Sequence, residues 1–198
     1  MGYGQCFITQ AALLLDRMGP ASRCLQWLAQ LTYCPRYAPY IVPEGCEIDP
    51  TGTWWHRTGD LGNAVQEGEA VKCVRIVVGI DDTDPERTVL IPRLPAGWRS
   101  LRVQDYPVMT QAGKRLVTMT YRRQQGAYRL WLRADGPLAD IAVRLGPFPA
   151  ATRQVAARVN GADCRLPACG QGDAAWAWLR GLRGGQVEIA AAPLPPAR

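Results

Sequence analysis

The spacing of apolar residues changes character near residue 80 of the chain. Before that point, apolar positions recur at intervals of three and four residues, which predicts amphipathic helices. The first two helices are expected over residues 5–18 and 21–33. Gly19 suits the end of the first helix, and Pro20 suits the first turn of the second. The chain is therefore expected to begin with a helical hairpin.

A third helix is predicted from about Asp60 to Val78, with Gly79 as its stop. A carboxylate such as that of Asp60 suits the positive end of a helix. Residues 34–59 between the second and third helices have no helical periodicity and are expected to form a loop.

After residue 86 the pattern becomes that of strands, in short runs rich in β-branched, leucine and aromatic residues. Gly, Pro and Asp separate the runs at intervals typical of a β-sandwich. The sequences QQGA and Asn160–Gly161 predict two hairpin turns. Seven strands are expected: RTVLIPRL, RSLRVQDY, KRLVTMTYRR, AYRLWLRA, IAVRLGPF, VAARVNG and VEIAAAP.

The predicted fold class is α+β in two segments. Helices occupy residues 1–80, and a polar linker follows over residues 81–86. An antiparallel β-sandwich is expected over residues 87–192, with a tail over 193–198. Three helices cannot cover their own apolar faces, so they must pack on the sheet, on a partner or on a further segment of chain.

Composition narrows the classes of function. The 198 residues carry a formal net charge of +6, but the arginines are scattered and the longest basic run is Arg122–Arg123. We therefore expect no binding to nucleic acid. The start of the chain has neither the basic residues nor the cleavage site of a signal peptide, and no apolar run reaches the length of a membrane span. A cytoplasmic protein without membrane contact is expected.

The seven cysteines contain no CxxC pair, so they are expected to be reduced and structural. Asp81, Asp82 and Asp84 have a spacing that resembles calcium ligands, but the rest of an EF-hand loop is absent. These aspartates are interpreted as part of the polar linker. No metal or cofactor is predicted.

Three motifs occur in an order that suggests a known family. They are VPEG, TGDLGNAVQEGEAVKCVRIVVGI and LIPRLPAGWRSLRV. In this order the chain resembles the C-terminal end of six-hairpin glycoside hydrolases, which have an (α/α)6 toroid, and within them the α-L-rhamnosidase-like group. The resemblance implies that residues 1–80 are the terminal helices of a partial toroid, followed by a C-terminal β-sandwich.

The resemblance also implies a catalytic residue. In that group a loop glutamate before the last toroid helix is the general base, usually within Trp-Glu-Arg. Here Glu44 lies at the corresponding place, between Pro43 and Gly45. The glutamate matches and its neighbours differ, which leaves the sugar open among rhamnosides, other deoxy-sugars and uronides.

Glycoside hydrolysis needs two carboxyl groups on either side of the bond, and in inverting enzymes one of them activates the attacking water. Glu44 is the first candidate for this base; alternatively it is an ordinary solvated glutamate. Glu47, three residues later, either is the base itself or orients Glu44.

The same loop contains candidate sugar-binding residues. Trp54 and Trp55 present aromatic faces that suit a pyranose ring. His56, the only histidine, and Arg57 suit hydroxyl groups or a uronate carboxylate. Asp60 either binds a sugar hydroxyl or only begins the third helix.

The general acid of this group precedes the segment seen here, so the isolated chain is expected to be inactive. The expected partners are a carbohydrate and the missing toroid segment or a partner chain. As an alternative, the protein is a non-catalytic carbohydrate-binding or structural β-sandwich module. For the sandwich itself, a supporting role without sugar contact is preferred.

Overall fold

A computed structural model describes residues 2–33, 43–48, 51, 55–61, 64–171 and 174–195. The chain divides into two compact units, Met1–Val77 and Val78–Arg198. Within the described residues the fold is α+β, with three helices and a mixed, mostly antiparallel sheet. No helix in these ranges is long and apolar enough to cross a membrane.

The first unit contains α1 (Gly2–Leu14), α2 (Met18–Tyr33) and most of α3 (Ala64–Val78). Between α2 and α3 lies a hairpin of β1 (Pro43–Ile48) and β2 (Trp55–Leu61). Two small apolar clusters hold the helices together. One contains Cys6, Leu28 and Cys73; the other contains Ala12, Leu13, Ala21 and Val77.

The boundary between α1 and α2 differs from the sequence prediction. The first helix ends at Leu14, and Asp16 adopts the left-handed conformation with φ of 56°. Asp tolerates this region better than most residues because its short polar side chain bonds locally. Gly19 and Pro20 therefore lie in the first turn of α2, and the expectation that Gly19 ends the first helix was wrong.

The buried side of α1 consists mostly of small residues. Its buried positions are Cys6, Thr9, Ala12 and Leu13. Several large apolar side chains are exposed instead, between 47% and 65% of their surface: Phe7, Ile8, Leu14, Leu15, Trp27, Val71 and Val74. Large apolar side chains are therefore exposed on all three helices.

The end of α3 is as predicted. Val78 is its last residue, and Gly79 follows with φ of 66°. The Gly79 carbonyl accepts a hydrogen bond from the Ile91 N–H at 2.6 Å. A Cβ at residue 79 would overlap the Ile91 carbonyl group, so both the turn and the packing require glycine there.

The second unit is built around two very long strands, β7 (Ala127–Pro149) and β10 (Ala174–Pro193), which pair antiparallel. Four register shifts interrupt this pairing, and each strand has different neighbours along its two halves. The other strands are β3 (Ile80–Asp81), β4 (Thr88–Leu90), β5 (Ser100–Thr110), β6 (Gly113–Gln124), β8 (Gln154–Val159) and β9 (Ala162–Gln171).

The first half of β7 pairs with β6, and its second half pairs in parallel with β4. The second half of β10 pairs with β8, and its first half pairs with β9. One contiguous core takes side chains from both halves, for example Met119 and Leu130 from one and Ile141 and Val143 from the other. The two halves of the sheet therefore enclose a single core.

The strand predictions were partly correct. Both predicted hairpin turns are present, with positive φ at Gln125–Gly126 and Asn160–Gly161. Two predicted strands are joined into β7. Residues 91–95 are not a strand, because Pro92 and Pro95 lack the N–H that a ladder needs. Most of β9 and the first half of β10 were not predicted.

Candidate functional site

The candidate residues lie on a hairpin rather than on a loop. Glu44 and Glu47 belong to β1, whereas Trp55, His56, Arg57 and Asp60 belong to β2. Trp54 lies outside the described residues. The interpretation of residues 34–59 as an irregular loop was therefore wrong where the two strands lie.

The sequence contains a signal for this hairpin. Asp49, Pro50 and Gly52 are turn-forming residues between two runs that contain isoleucine, tryptophan and threonine. The hairpin has a consequence for function, because a strand pair fixes the relative positions of main-chain atoms more strictly than a loop does.

The register of the hairpin places specific residues opposite one another. Glu47 is the cross-strand partner of His56, and Cys46 is the partner of Arg57. Directly opposed positions of an antiparallel pair are the closest neighbours between two strands. The register thus brings together an acidic and a basic position that are nine residues apart in sequence.

The register shifts between Pro43 and Gly45, so that Glu44 lies at a β-bulge or irregularity. Pro43 pairs with Leu61, and Gly45 pairs with Thr58. Bulges change the direction of a strand and are over-represented next to active sites. Among the candidate residues of β1, Glu44 therefore has the irregular backbone position and Glu47 the regular one.

Asp60 also differs from its expected place. It lies in β2, and α3 begins four residues later at Ala64. The interpretation of Asp60 as a helix-start residue was wrong, because the strand pairing extends to Leu61. Asp60 remains a candidate for sugar binding within the same hairpin.

A buried carboxylate elsewhere in the first unit has a structural task. Gln10 donates to a Glu69 carboxylate oxygen at 2.7 Å and to the Glu69 carbonyl at 3.2 Å, and Lys72 forms an ion pair with the same carboxylate. Hydrogen bonds from Lys72 and Gln10 lower the pKa of Glu69. Glu69 therefore stays ionised and ties α1 to α3. A carboxyl group held in its ionised form is unsuited to donate a proton.

The three aspartates after α3 each accept hydrogen bonds. Asp81 accepts from the Thr83 N–H at 3.1 Å and from its hydroxyl at 2.8 Å. Asp82 accepts from the Met109 N–H at 2.7 Å, and Asp84 accepts from the Glu86 N–H at 3.0 Å. Within the described part of the chain, no three His, Cys, Asp or Glu side chains converge as metal ligands would.

The comparisons with known proteins give a structural likeness but no match to a protein family. No protein-family model matches the chain, and no curated protein matches it. Four chains of solved structures match, one of which is the α-L-rhamnosidase from Dictyoglumus thermophilum. That match has a TM-score of 0.44 and 10% sequence identity, and it covers 65% of this chain. It spans only 14% of the rhamnosidase chain.

Proposed function

We propose that this chain is the C-terminal part of an inverting, α-L-rhamnosidase-like glycoside hydrolase, in which Glu44 is the general base. The observation that carries the proposal is the position of Glu44 at the β-bulge of a hairpin that directly precedes α3. In the hydrolases that the sequence resembles, the base likewise precedes the last toroid helix. A glutamate there would take a proton from the attacking water.

The other hairpin residues have supporting roles. Glu47 lies opposite His56 in the register; we assign Glu47 to the orientation of Glu44 and His56 to a sugar hydroxyl. Trp54, Trp55, Arg57 and Asp60 supply ring stacking and hydrogen bonds to the sugar.

The exposed apolar surface of α1, α2 and α3 supports the view that the helical unit is incomplete. Ile8 is 57% exposed, Trp27 is 47% exposed and Val74 is 59% exposed. In the proposal, earlier helices of an (α/α)6 toroid cover these side chains and carry the general acid. The 198 residues then contain half of the catalytic pair and are inactive alone.

The test uses the longer gene product that contains these 198 residues, assayed on aryl α-L-rhamnoside and on other aryl glycosides. Glu44→Gln is expected to lower kcat by about 10³-fold, in the range of a lost general base. Glu86→Gln, which changes a glutamate outside the hairpin, serves as the matched control and should retain activity. Circular dichroism of each variant reports whether the fold is retained.

Two results would contradict the assignment. Full activity of Glu44→Gln, with activity lost in Glu47→Gln, would move the base to Glu47. Hydrolysis by the isolated 198-residue chain, abolished by Glu44→Gln, would show that the catalytic pair is complete without further helices. The anomeric configuration of the first product, observed by NMR, tests inversion separately.

A further inference from the structure

One solvent-facing surface of the second unit carries a concentration of arginine side chains. We call it the arginine face and define it by Arg122 on β6, Arg129 on β7, Arg158 on β8 and Arg165 on β9. All four side chains are exposed. The residues that alternate with them, such as Tyr121, Tyr128 and Ala157, point into the core and are buried. The strand pattern therefore aligns the arginines on one side of the sheet.

The register shows how these residues are arranged. One row across the sheet pairs Arg122 with Arg129, Arg129 with Ala190, Ala190 with Arg158, and Arg158 with Asp163. The neighbouring row pairs Ala192 with Ala156 and Ala156 with Arg165. Ala190 thus lies between Arg129 and Arg158, and Ala156 lies between Ala192 and Arg165.

Because the alanines are small, the centre of the arginine face is a depression. It has a volume of about 620 Å³ and is lined by the alanines, by Arg129, Arg158 and Arg165, and by Asp163. Neighbouring strands are spaced about 4.8 Å apart, so the backbones of Arg129 and Arg158 are separated by about 10 Å. The depression is wide enough for a sugar ring, with guanidinium groups on both sides.

The arginines of this face differ in their partners. Arg158 is paired with Asp163, with N–O distances of 2.7 and 3.1 Å. Within the described ranges, Arg129 and Arg165 form no ion pair. Arg122 lies directly opposite Arg129, and like charges at opposed positions destabilise a sheet. A face that keeps these arginines at a cost in stability fits an anionic ligand.

A second depression adjoins the first on the same side of the sheet. Its volume is about 560 Å³, and it is lined by Trp131, Thr118, Thr120, Asn160 and Glu188 among others. Trp131 is half-buried, with the Arg122 guanidinium 5.9 Å from its ring centroid. Trp131 and Glu188 are cross-strand partners. Together these residues offer one aromatic surface and several partners for hydroxyl groups.

We propose that the arginine face and the Trp131 depression bind an acidic oligosaccharide, whose carboxylates pair with Arg129 and Arg165 and one of whose rings stacks on Trp131. Guanidinium groups bind carboxylates through paired hydrogen bonds. The carboxylates of Glu188 and Asp163 can accept hydrogen bonds from sugar hydroxyls, which a uronate chain presents on every ring and a DNA strand lacks along its length, and this favours a uronate over DNA. This site is separate from the hairpin and does not depend on the proposed hydrolase activity.

The test measures binding of trigalacturonate to the complete 198-residue chain by isothermal titration calorimetry. The methyl ester of the same trisaccharide is the neutral control. We expect the acid to bind at least about tenfold more tightly than the ester and to bind less tightly as salt is added. The double variant Arg129→Gln, Arg165→Gln should bind the acid about tenfold or more weakly than the native chain does.

Arg183→Gln is the matched control variant. Arg183 is an exposed arginine like those of the face, but it lies on β10 and outside the face. It should bind trigalacturonate as the native chain does. Trp131→Ala should weaken both the acid and the ester. All four substituted side chains are at least partly exposed, and the melting temperature of each variant checks that it folds.

Several outcomes would overturn the proposal. Equal affinity for the acid and the ester would show that the site does not recognise the carboxylate charges. Equal loss of binding in Arg183→Gln and in the double variant would show a diffuse effect of net charge. No binding of trigalacturonate, with or without binding of a single-stranded oligothymidylate, would also reject an acidic saccharide as the ligand. None of these results involves turnover, so the proposed hydrolase is tested independently.

Discussion

Gly79 and Ile91 approach so closely that no side chain fits at residue 79. The Ile91 N–H donates to the Gly79 carbonyl at 2.6 Å, and a Cβ at residue 79 would overlap the Ile91 carbonyl. Both residues belong to the second unit, and the contact extends the pairing of Ile80 with Leu90 by one residue. It therefore holds the short strands β3 and β4 together where the second unit begins.

Gly79→Ala should accordingly destabilise the second unit strongly. The substitution combines a positive φ with a backbone clash, and we expect the free energy of unfolding to fall by about 3 kcal/mol or more. Urea denaturation followed by tryptophan fluorescence measures the change. Gly97→Ala is the control: Gly97 has φ of 87°, but a Cβ at residue 97 would meet no atom within 4 Å, so a loss of only about 1 kcal/mol is expected. Equal losses would show that the contact with Ile91 is unimportant.

Tyr121→Phe should remove a buried hydrogen-bonded bridge. The Tyr121 hydroxyl donates to the Gly146 carbonyl at 2.8 Å and accepts from the Gly146 N–H at 3.0 Å. Without it, two buried main-chain groups lose their partner, and we expect a loss of about 2 kcal/mol. Tyr128→Phe is the matched comparison, because its hydroxyl makes one bond, to the Pro147 carbonyl at 2.6 Å. A larger loss in Tyr128→Phe, by urea denaturation, would contradict this account.

The same two tyrosines predict a loss of stability in alkaline solution. Burial raises the pKa of Tyr128 to about 12 and raises that of Tyr121 well above its ordinary value. In the unfolded chain both ionise near about pH 10, so above that pH the unfolded state binds fewer protons than the folded state. The free energy of unfolding therefore falls as pH rises, by up to about 1.4 kcal/mol per pH unit for each tyrosine.

This stability is fully present below about pH 10 and is lost above it, as the pH rises towards the folded pKa. Melting temperatures across the alkaline range, with tyrosinate absorbance recorded in parallel, measure the effect. The slope should be shallower in Tyr121→Phe than in the native chain. Tyrosinate absorbance from all tyrosines well before unfolding would show that the two side chains are accessible.

The features that the sequence predicted best are those determined within a few residues. Gln125–Gly126 and Asn160–Gly161 form the expected turns, because the positive φ that a tight hairpin requires is accessible to Gly and Asn. The alternation of apolar and polar residues correctly predicted β6, because one side of that strand faces the core and the other faces solvent. In each case the residues that determine the local conformation lie within the same short segment.

The features that were missed depend on distant partners. Residues 178–186 contain three glycines and resemble a loop, yet they form part of β10, because β7 supplies a long pairing partner across several register shifts. The spacing of apolar residues such as Phe7 and Leu14 predicted a helix, but it did not show which side of that helix its neighbours would cover. The hairpin of Glu44 and His56 likewise depends on the pairing of two short strands whose individual signals are weak.

The cysteines give a final prediction about accessibility. Cys6 and Cys73 are fully buried where α1 meets α3, and the Cys73 thiol donates to the Cys6 carbonyl at 3.4 Å. Hydrogen bonding to Cys6 and burial raise the pKa of Cys73, whereas Cys169 is exposed on β9. Because burial keeps the reagent away from both thiols, iodoacetamide should alkylate Cys169 in the native protein and spare Cys6 and Cys73.

Peptide mapping by mass spectrometry assigns each alkylated residue, and the same reaction in urea should label all of them. Cys169→Ser, which removes the exposed thiol, should leave the protection of Cys6 and Cys73 unchanged. Alkylation of Cys6 at the rate of Cys169 in the absence of urea would mean that the contact between α1 and α3 opens readily. The free energy that holds the helices together in this chain would then be small, as the exposed apolar side chains of the helical unit already indicate.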